Sequence, residues 1–210
     1  MIKAVLFDKD GVLMDSEAEY ERRRQIFFSE RGIDSSGFPD FYGSNNDVIW
    51  RTVEPNDAGR RARLEVKFVE RFKDEPMVYA DYVYPAVRPT LEALRARGIL
   101  TALASSSPRK FIDRFLQAVD MVDLFDYTVS GEECDNHKPA PDVYVRAMEA
   151  LGVRSDEVLV VEDSPLGIAA GRAAGAFVLA PSVPSAPGID QSEADARIAD
   201  ISGVLNYLDR

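Results

Sequence analysis

The chain has 210 residues, 46% of them hydrophobic and 29% charged, with a formal net charge of -11. That length suits one domain with an insertion, or two small ones, around a real core. So much negative charge argues against non-specific binding of nucleic acid or of an anionic membrane surface, though not against an anionic substrate in one locally positive cleft. The lone cysteine, Cys134, excludes an intrachain disulfide. The lone histidine, His137, excludes a multi-histidine metal site and would have to be the base of any Ser-His-Asp triad. No apolar run approaches the roughly 20 residues of a membrane-spanning helix. The opening residues do not read as a secretory leader, and a cytoplasmic setting is expected.

In chain order, an apolar strand over 2–7 runs straight into Asp8-Lys9-Asp10-Gly11. A helix is expected from the capping residues Asp15-Ser16 to about 31, before Gly32. Residues 33–82 lack strand patterns; they hold the loop-like Gly43-Ser44-Asn45-Asn46 and a charged helix over about 57–73. We therefore expect 16–82 to form a helical insertion. Beyond Pro85 the pattern alternates: helix 87–97, strand 99–104, helix 109–119, strand 127–130, helix 141–151, strand 158–161, helix 165–174 and strand 176–180. The three prolines of 181–188 mark a loop, and a last helix is expected within 194–209. Strands alternating with helices imply βαβ units, so the fold class is α/β with a three-layer, Rossmann-like, mostly parallel sheet.

Four strand ends carry chemistry. Asp8 and Asp10 would repel unless a hard cation such as Mg²⁺ sat with them, and a glycine after them permits a sharp turn. Alone, the same residues also make an ordinary turn. Ser105-Ser106-Ser107 after the second strand offers hydroxyls and backbone N–H groups to a phosphate, or equally a cap for the helix after Pro108. Lys138, in Lys138-Pro139-Ala140-Pro141-Asp142, is a point charge on a rigid turn. Glu162 and Asp163 follow the most apolar strand, where carboxylates are costly unless paired or bound to a cation.

In that order, the four motifs resemble those of the haloacid dehalogenase superfamily, and within it the β-phosphoglucomutase-like and sugar-phosphate phosphatase group. The resemblance covers nearly the whole chain and implies a helical cap at 16–82 over a core of 1–15 and 83–210. It implies Asp8 as nucleophile, forming an aspartyl-phosphate, and Asp10 as general acid/base whose backbone carbonyl also binds metal. Ser105, the N–H of Ser106, and Lys138 would hold the phosphoryl group. Asp163 would bind Mg²⁺, with Glu162 a ligand or the holder of a metal-bound water. Asp10 argues against the dehalogenase branch. Mutases of the group carry a cap arginine after a glycine and a histidine in the first cap helix. Here the matching loop 43–47 has no cation, and Tyr20 stands near the histidine's place.

The expected activity is thus a Mg²⁺-dependent phosphatase acting on a small phosphorylated metabolite, a sugar phosphate or a phosphoglycolate-like ester, as a monomer or homodimer. A phosphosugar mutase and a non-catalytic phosphometabolite-binding module are the alternatives. Tyr20, Asn45, Asn46 and Trp50 are candidate selectivity contacts, each with a packing or surface role as its alternative. Of the consecutive Arg22, Arg23 and Arg24, most are expected to face solvent, since together they span most of a helix turn. Lys9 is unusual where an apolar residue is common, and its charge is expected to point away from the metal.

Overall fold

In the computed structural model, which describes residues 1–42, 44, 46–75, 77–186 and 188–210, the tetrapeptide Ala4–Phe7 forms β1, buried at every position. Continuous apolar sequence of this kind belongs to a strand covered on both faces. Leu100–Ser105 (β2), Tyr127–Ser130 (β3), Val158–Val161 (β4), Phe177–Pro181 (β5) and Ala196–Ile198 (β6) complete a parallel sheet ordered β3-β2-β1-β4-β5-β6. Phe7 lies level with Leu103 on one side and Val161 on the other, and Ser105 lies level with Ser130, so the carboxyl ends gather along one edge.

The helices are α1 (Glu17–Glu30), α2 (Asn46–Val53), α3 (Ala58–Arg71), α4 (Val87–Ala96), α5 (Arg109–Ala118), α6 (Asp142–Leu151) and α7 (Pro165–Ala173). Chain contacts divide the molecule into Met1–Asp15 with Tyr79–Arg210, and Ser16–Val78. The division falls before the sequence boundary at 82. The 3-10 turn Tyr79–Asp81 goes with the sheet, because the Tyr79 ring packs edge-on against Phe115 at 5.7 Å. No helix among the described residues is long and apolar enough to cross a membrane.

In the sheet unit, α6 and α7 pack their buried side chains, among them Tyr144, Ala147 and Ile168, against Leu6, Val129 and Val160. The helical unit has an aromatic core. Phe27 meets Trp50 at 5.9 Å and Phe68 at 5.4 Å, both edge-on, the favoured arrangement for ring quadrupoles.

Three expectations are corrected. Helix α2 begins inside the segment read as loop, because Ile49 and Trp50 are buried in that aromatic core and repay ordering a polar start. The last helix is replaced by β6 and the 3-10 helix Ile201–Tyr207. The Asp195 carboxylate accepts from Val178 N–H, which draws the segment alongside β5, and a Cβ at Gly203 would press on Ile198. Of the three arginines only Arg22 is largely exposed. Arg23 bonds Glu19 at 2.6 Å over the Phe72 ring, and Arg24 is buried between Glu17 and Glu21 over the Phe41 ring. Their charges are paired within the helical unit.

Candidate active site

From β1 the chain moves one way to β2 and β3, then returns to β4 and β5 on the other side of β1. The crevice at such a reversal, outside the carboxyl ends of the strands, is where open α/β sheets bind ligands. Asp8 N–H donates to Val161 O at 3.0 Å and Glu162 N–H to Leu179 O at 3.0 Å, so both acids extend the sheet's bonding by one residue. Gly11, at φ 79°, then turns the chain back, its N–H donating to Met14 O at 2.8 Å. A side chain there would be strained.

Lys138, from the loop between β3 and α6, is buried, and its Nζ donates to three acceptors: Asp8 Oδ1 at 2.6 Å, Glu162 Oε1 at 2.7 Å and Ala104 O at 3.2 Å. That uses all three ammonium protons. Burial works against the lysine's charge, but Asp8 and Glu162 outweigh it and hold its pKa well above the usual value. One cation cannot neutralise two carboxylates. Burial therefore pushes the Asp8 carboxyl up to about 7 against the pull of Lys138, and the charges of Glu162 and Asp10 push it the same way.

Asp10 is held separately. Lys9 Nζ lies 3.0 Å from its Oδ1 and 2.9 Å from its Oδ2, and Ser107 Oγ donates to Oδ2 at 3.0 Å. The lysine is wholly buried, and its charge points at the site and not away from it, which corrects the expectation from strand alternation. Its pairing partner is its own sequence neighbour. Ser105 is buried, and its Oγ accepts from Ser107 N–H at 3.1 Å; Ser106 is exposed beside it. Ser107 enters the sequence reading only as the last of the serine triplet offered to a phosphate; its bond to Asp10 has no local signal in the sequence.

Glu162 and Asp163 are both buried at the end of β4. Ser164 N–H and Oγ reach Glu162 Oε2 at 3.1 and 3.2 Å, and Ser164 also caps α7 by accepting from Gly167 N–H. No three His, Cys, Asp or Glu side chains among the described residues are arranged as a ready-made metal cage. The donor chemistry nonetheless fits a hard cation. Asp8 and Asp10 follow β1, and Glu162 and Asp163 follow the adjacent β4; Lys9 pairs with Asp10, Lys138 with Asp8 and Glu162, and carboxylate oxygen is the donor such an ion takes. The Tyr84 hydroxyl is the one buried side-chain polar atom among the described residues without a hydrogen-bond partner. Burial raises its pKa, and the Asp15 and Asp163 charges push it the same way.

The expected selectivity residues lie in the helical unit. Tyr20 is half-buried on α1, and exposed Asn46 donates from Nδ2 to Glu65 at 3.0 Å. Asn45 lies outside the described residues. Trp50 is buried, with its ring against Phe27 and Phe68, which is the packing role given as its alternative.

A model of haloacid dehalogenase-like hydrolases matches residues 2–175. Protein CbbY of Rhodobacter capsulatus is 30% identical over 96% of this chain and 94% of its own length. A phosphorylated carbohydrates phosphatase of Thermotoga maritima is 32% identical over 83% of this chain and 82% of its own. The solved β-phosphoglucomutase of Clostridium difficile, 20% identical, superposes with a TM-score of 0.78 over 100% of this chain and 96% of that one, a likeness of fold. With acids and a buried lysine gathered at the sheet's reversal, and with the family's pattern running through most of the sequence, this chain belongs to the haloacid dehalogenase-like hydrolases.

Proposed function

We propose that the protein is a Mg²⁺-dependent phosphatase of a small phosphorylated metabolite, working through an aspartyl-phosphate on Asp8. The observation that carries this reading is the buried contact of Lys138 with Asp8 at 2.6 Å, at the edge where the strands end. A lysine there orients the nucleophilic oxygen through a hydrogen bond and sets a fixed positive charge beside an incoming phosphoryl group. Asp8 attacks phosphorus, the bond from phosphorus to the substrate's ester oxygen breaks, and Asp10 gives that oxygen its proton. Water then attacks the same phosphorus, Asp10 takes its proton, and the bond to Asp8 breaks, returning the enzyme and inorganic phosphate. Ser105 and the N–H of Ser106 hold the remaining phosphoryl oxygens. Asp8, Asp10 and Asp163, with Glu162 beside them, would hold Mg²⁺. When bound, the ion supplies charge neutralisation for the phosphoryl group.

Residues 16–78 are the cap in this reading and choose the substrate, Tyr20 and Asn46 being candidates for that work. A sugar phosphate or a phosphoglycolate-like ester is favoured, since relatives named for phosphorylated carbohydrates and phosphoglycolate align along most of this chain. The test is Mg²⁺-dependent phosphate release across a panel of sugar phosphates, phosphoglycolate and nucleotides, with Asp8→Asn as the blank. Release that Asp8→Asn abolishes supports the reading. Isomerisation of a sugar phosphate without release would make the protein a mutase, and neither activity would leave a binding module.

A further inference from the structure

Lys138 is held by a carboxylate that is itself held. Both oxygens of Glu162 are engaged by the protein. Oε1 accepts from Lys138 Nζ at 2.7 Å and from the Tyr144 hydroxyl at 3.0 Å, and Oε2 accepts from Ser164 N–H and Oγ. Tyr144 is fully buried on α6, two residues after the Lys-Pro-Ala-Pro-Asp run, and its ring lies under the ammonium with Nζ 4.8 Å from the centroid. On the opposite element, α7 passes so close that a Cβ built on Gly167 would fall inside the Glu162 carboxylate.

We propose that Tyr144 and the bare Cα of Gly167 are positioning residues for Lys138: together they seat Glu162 as the lysine's counter-ion and so aim the ammonium at Asp8. Glu162 in this seat serves the lysine and not the metal. Four donors already occupy its two oxygens, about the number a carboxylate accepts. The burial has a second consequence. An ammonium drawn into a dry site between two carboxylates is oriented by whichever partner is fixed, and Asp8 cannot be fixed while it exchanges bonds with phosphorus. Glu162 supplies the constant reference, Tyr144 sets its rotation through a single O–H, and Gly167 leaves room for it. The inference rests on the phosphatase reading of the same site.

The full chain is tested as wild type, Tyr144→Phe and Gly167→Ala. The measurements are the affinity for inorganic phosphate in saturating Mg²⁺, the affinity for Mg²⁺ alone, both by calorimetry, and the melting temperature. Tyr144→Phe removes one oxygen and leaves the ring beneath the lysine. It should weaken phosphate binding about tenfold, the low end of what loss of an outer hydrogen-bond partner costs a site, with Mg²⁺ affinity and melting temperature close to wild type. Gly167→Ala should likewise weaken phosphate binding with Mg²⁺ affinity kept, at a lowered melting temperature because its Cβ displaces a buried carboxylate, and it carries the test should Tyr144→Phe not fold. Phosphate affinity unchanged in the folded variants would overturn the proposal, as would an equal loss of Mg²⁺ affinity, which would make Glu162 the metal's residue. A wild type that neither binds phosphate with Mg²⁺ nor hydrolyses any phosphate ester would overturn the phosphatase reading, and this inference with it.

Discussion

Asp8→Asn should make the metal-free protein more stable at alkaline pH. The wild-type carboxyl is buried beside Glu162 and Asp10 with only Lys138 in its favour, and its pKa stands at about 7 against an ordinary 3.8. A carboxyl with a raised folded pKa holds its proton more tightly when folded. Its favourable contribution is therefore complete below 3.8 and is lost as the pH rises through about 7. The interval of roughly three decades, at about 1.4 kcal/mol each, means that the ionised form costs up to about 4 kcal/mol at alkaline pH. Asparagine carries no charge to bury, but it gives up the ion pair with Lys138, which keeps Glu162 at 2.7 Å and Ala104 O at 3.2 Å. A net gain of about 1–3 kcal/mol at pH ~8 is expected, shrinking towards zero at pH ~5, where Asp8 already carries its proton. Urea unfolding of both proteins in EDTA at the two pH values measures this. An Asp8→Asn protein less stable than wild type at the higher pH, or one whose difference ignores pH, would refute the reasoning.

Other outcomes follow from the helical unit. Trp50 is the chain's single tryptophan and is buried among Phe27 and Phe68, so its fluorescence reports the unfolding of residues 16–78. Phe27→Ala should destabilise that transition by about 3–5 kcal/mol, and an unmoved fluorescence midpoint in urea would contradict the packing. Hydrogen bonds from Arg22, and then from Arg23, hold the Glu19 carboxyl down at about 2 from an ordinary 4.5, so its contribution is present above 4.5 and lost as the pH falls towards about 2. Glu19→Gln should therefore cost about 1–2 kcal/mol near neutral pH, less than full linkage because Arg22 reaches solvent, and nothing at the acid end. A pH-independent cost in chemical unfolding would count against it. Asp57 caps α3 by accepting from Arg60 N–H at 2.9 Å, so Asp57→Ala should lower the unfolding midpoint and Asp57→Ser should lower it much less, read by the same unfolding curves.

The elements legible in the sequence are those whose signals are local. The apolar runs of β1 and β4 end where their first acids begin, and the Ser164-Pro165 start of α7 and the Gly152 stop of α6 appear as cap chemistry requires. What escaped depends on distant partners. Helix α2 exists because Trp50 finds Phe27 and Phe68, and β6 because Asp195 finds Val178 across the sheet edge. At the site, motif order marked Asp8, Asp10, Lys138, Glu162 and Asp163, and the fold brings Asp8, Lys138 and Glu162 into one bonded cluster. Tyr144 and Gly167 were illegible because their roles lie in a bond and a gap to Glu162, 18 residues away from the tyrosine and on another element. Lys9 misled for a different reason: strand alternation holds for the backbone of β1, whereas the long side chain just past its end curls back to Asp10.

The measurement closest to the central claim is a single turnover with a radiolabelled sugar phosphate and Mg²⁺, quenched in acid and mapped by peptide. A labile phosphoryl group on the peptide that carries Asp8, absent from Asp8→Asn, is the result expected of a nucleophile held 2.6 Å from Lys138. Turnover with no covalent label, or a label that survives in Asp8→Asn, would contradict it.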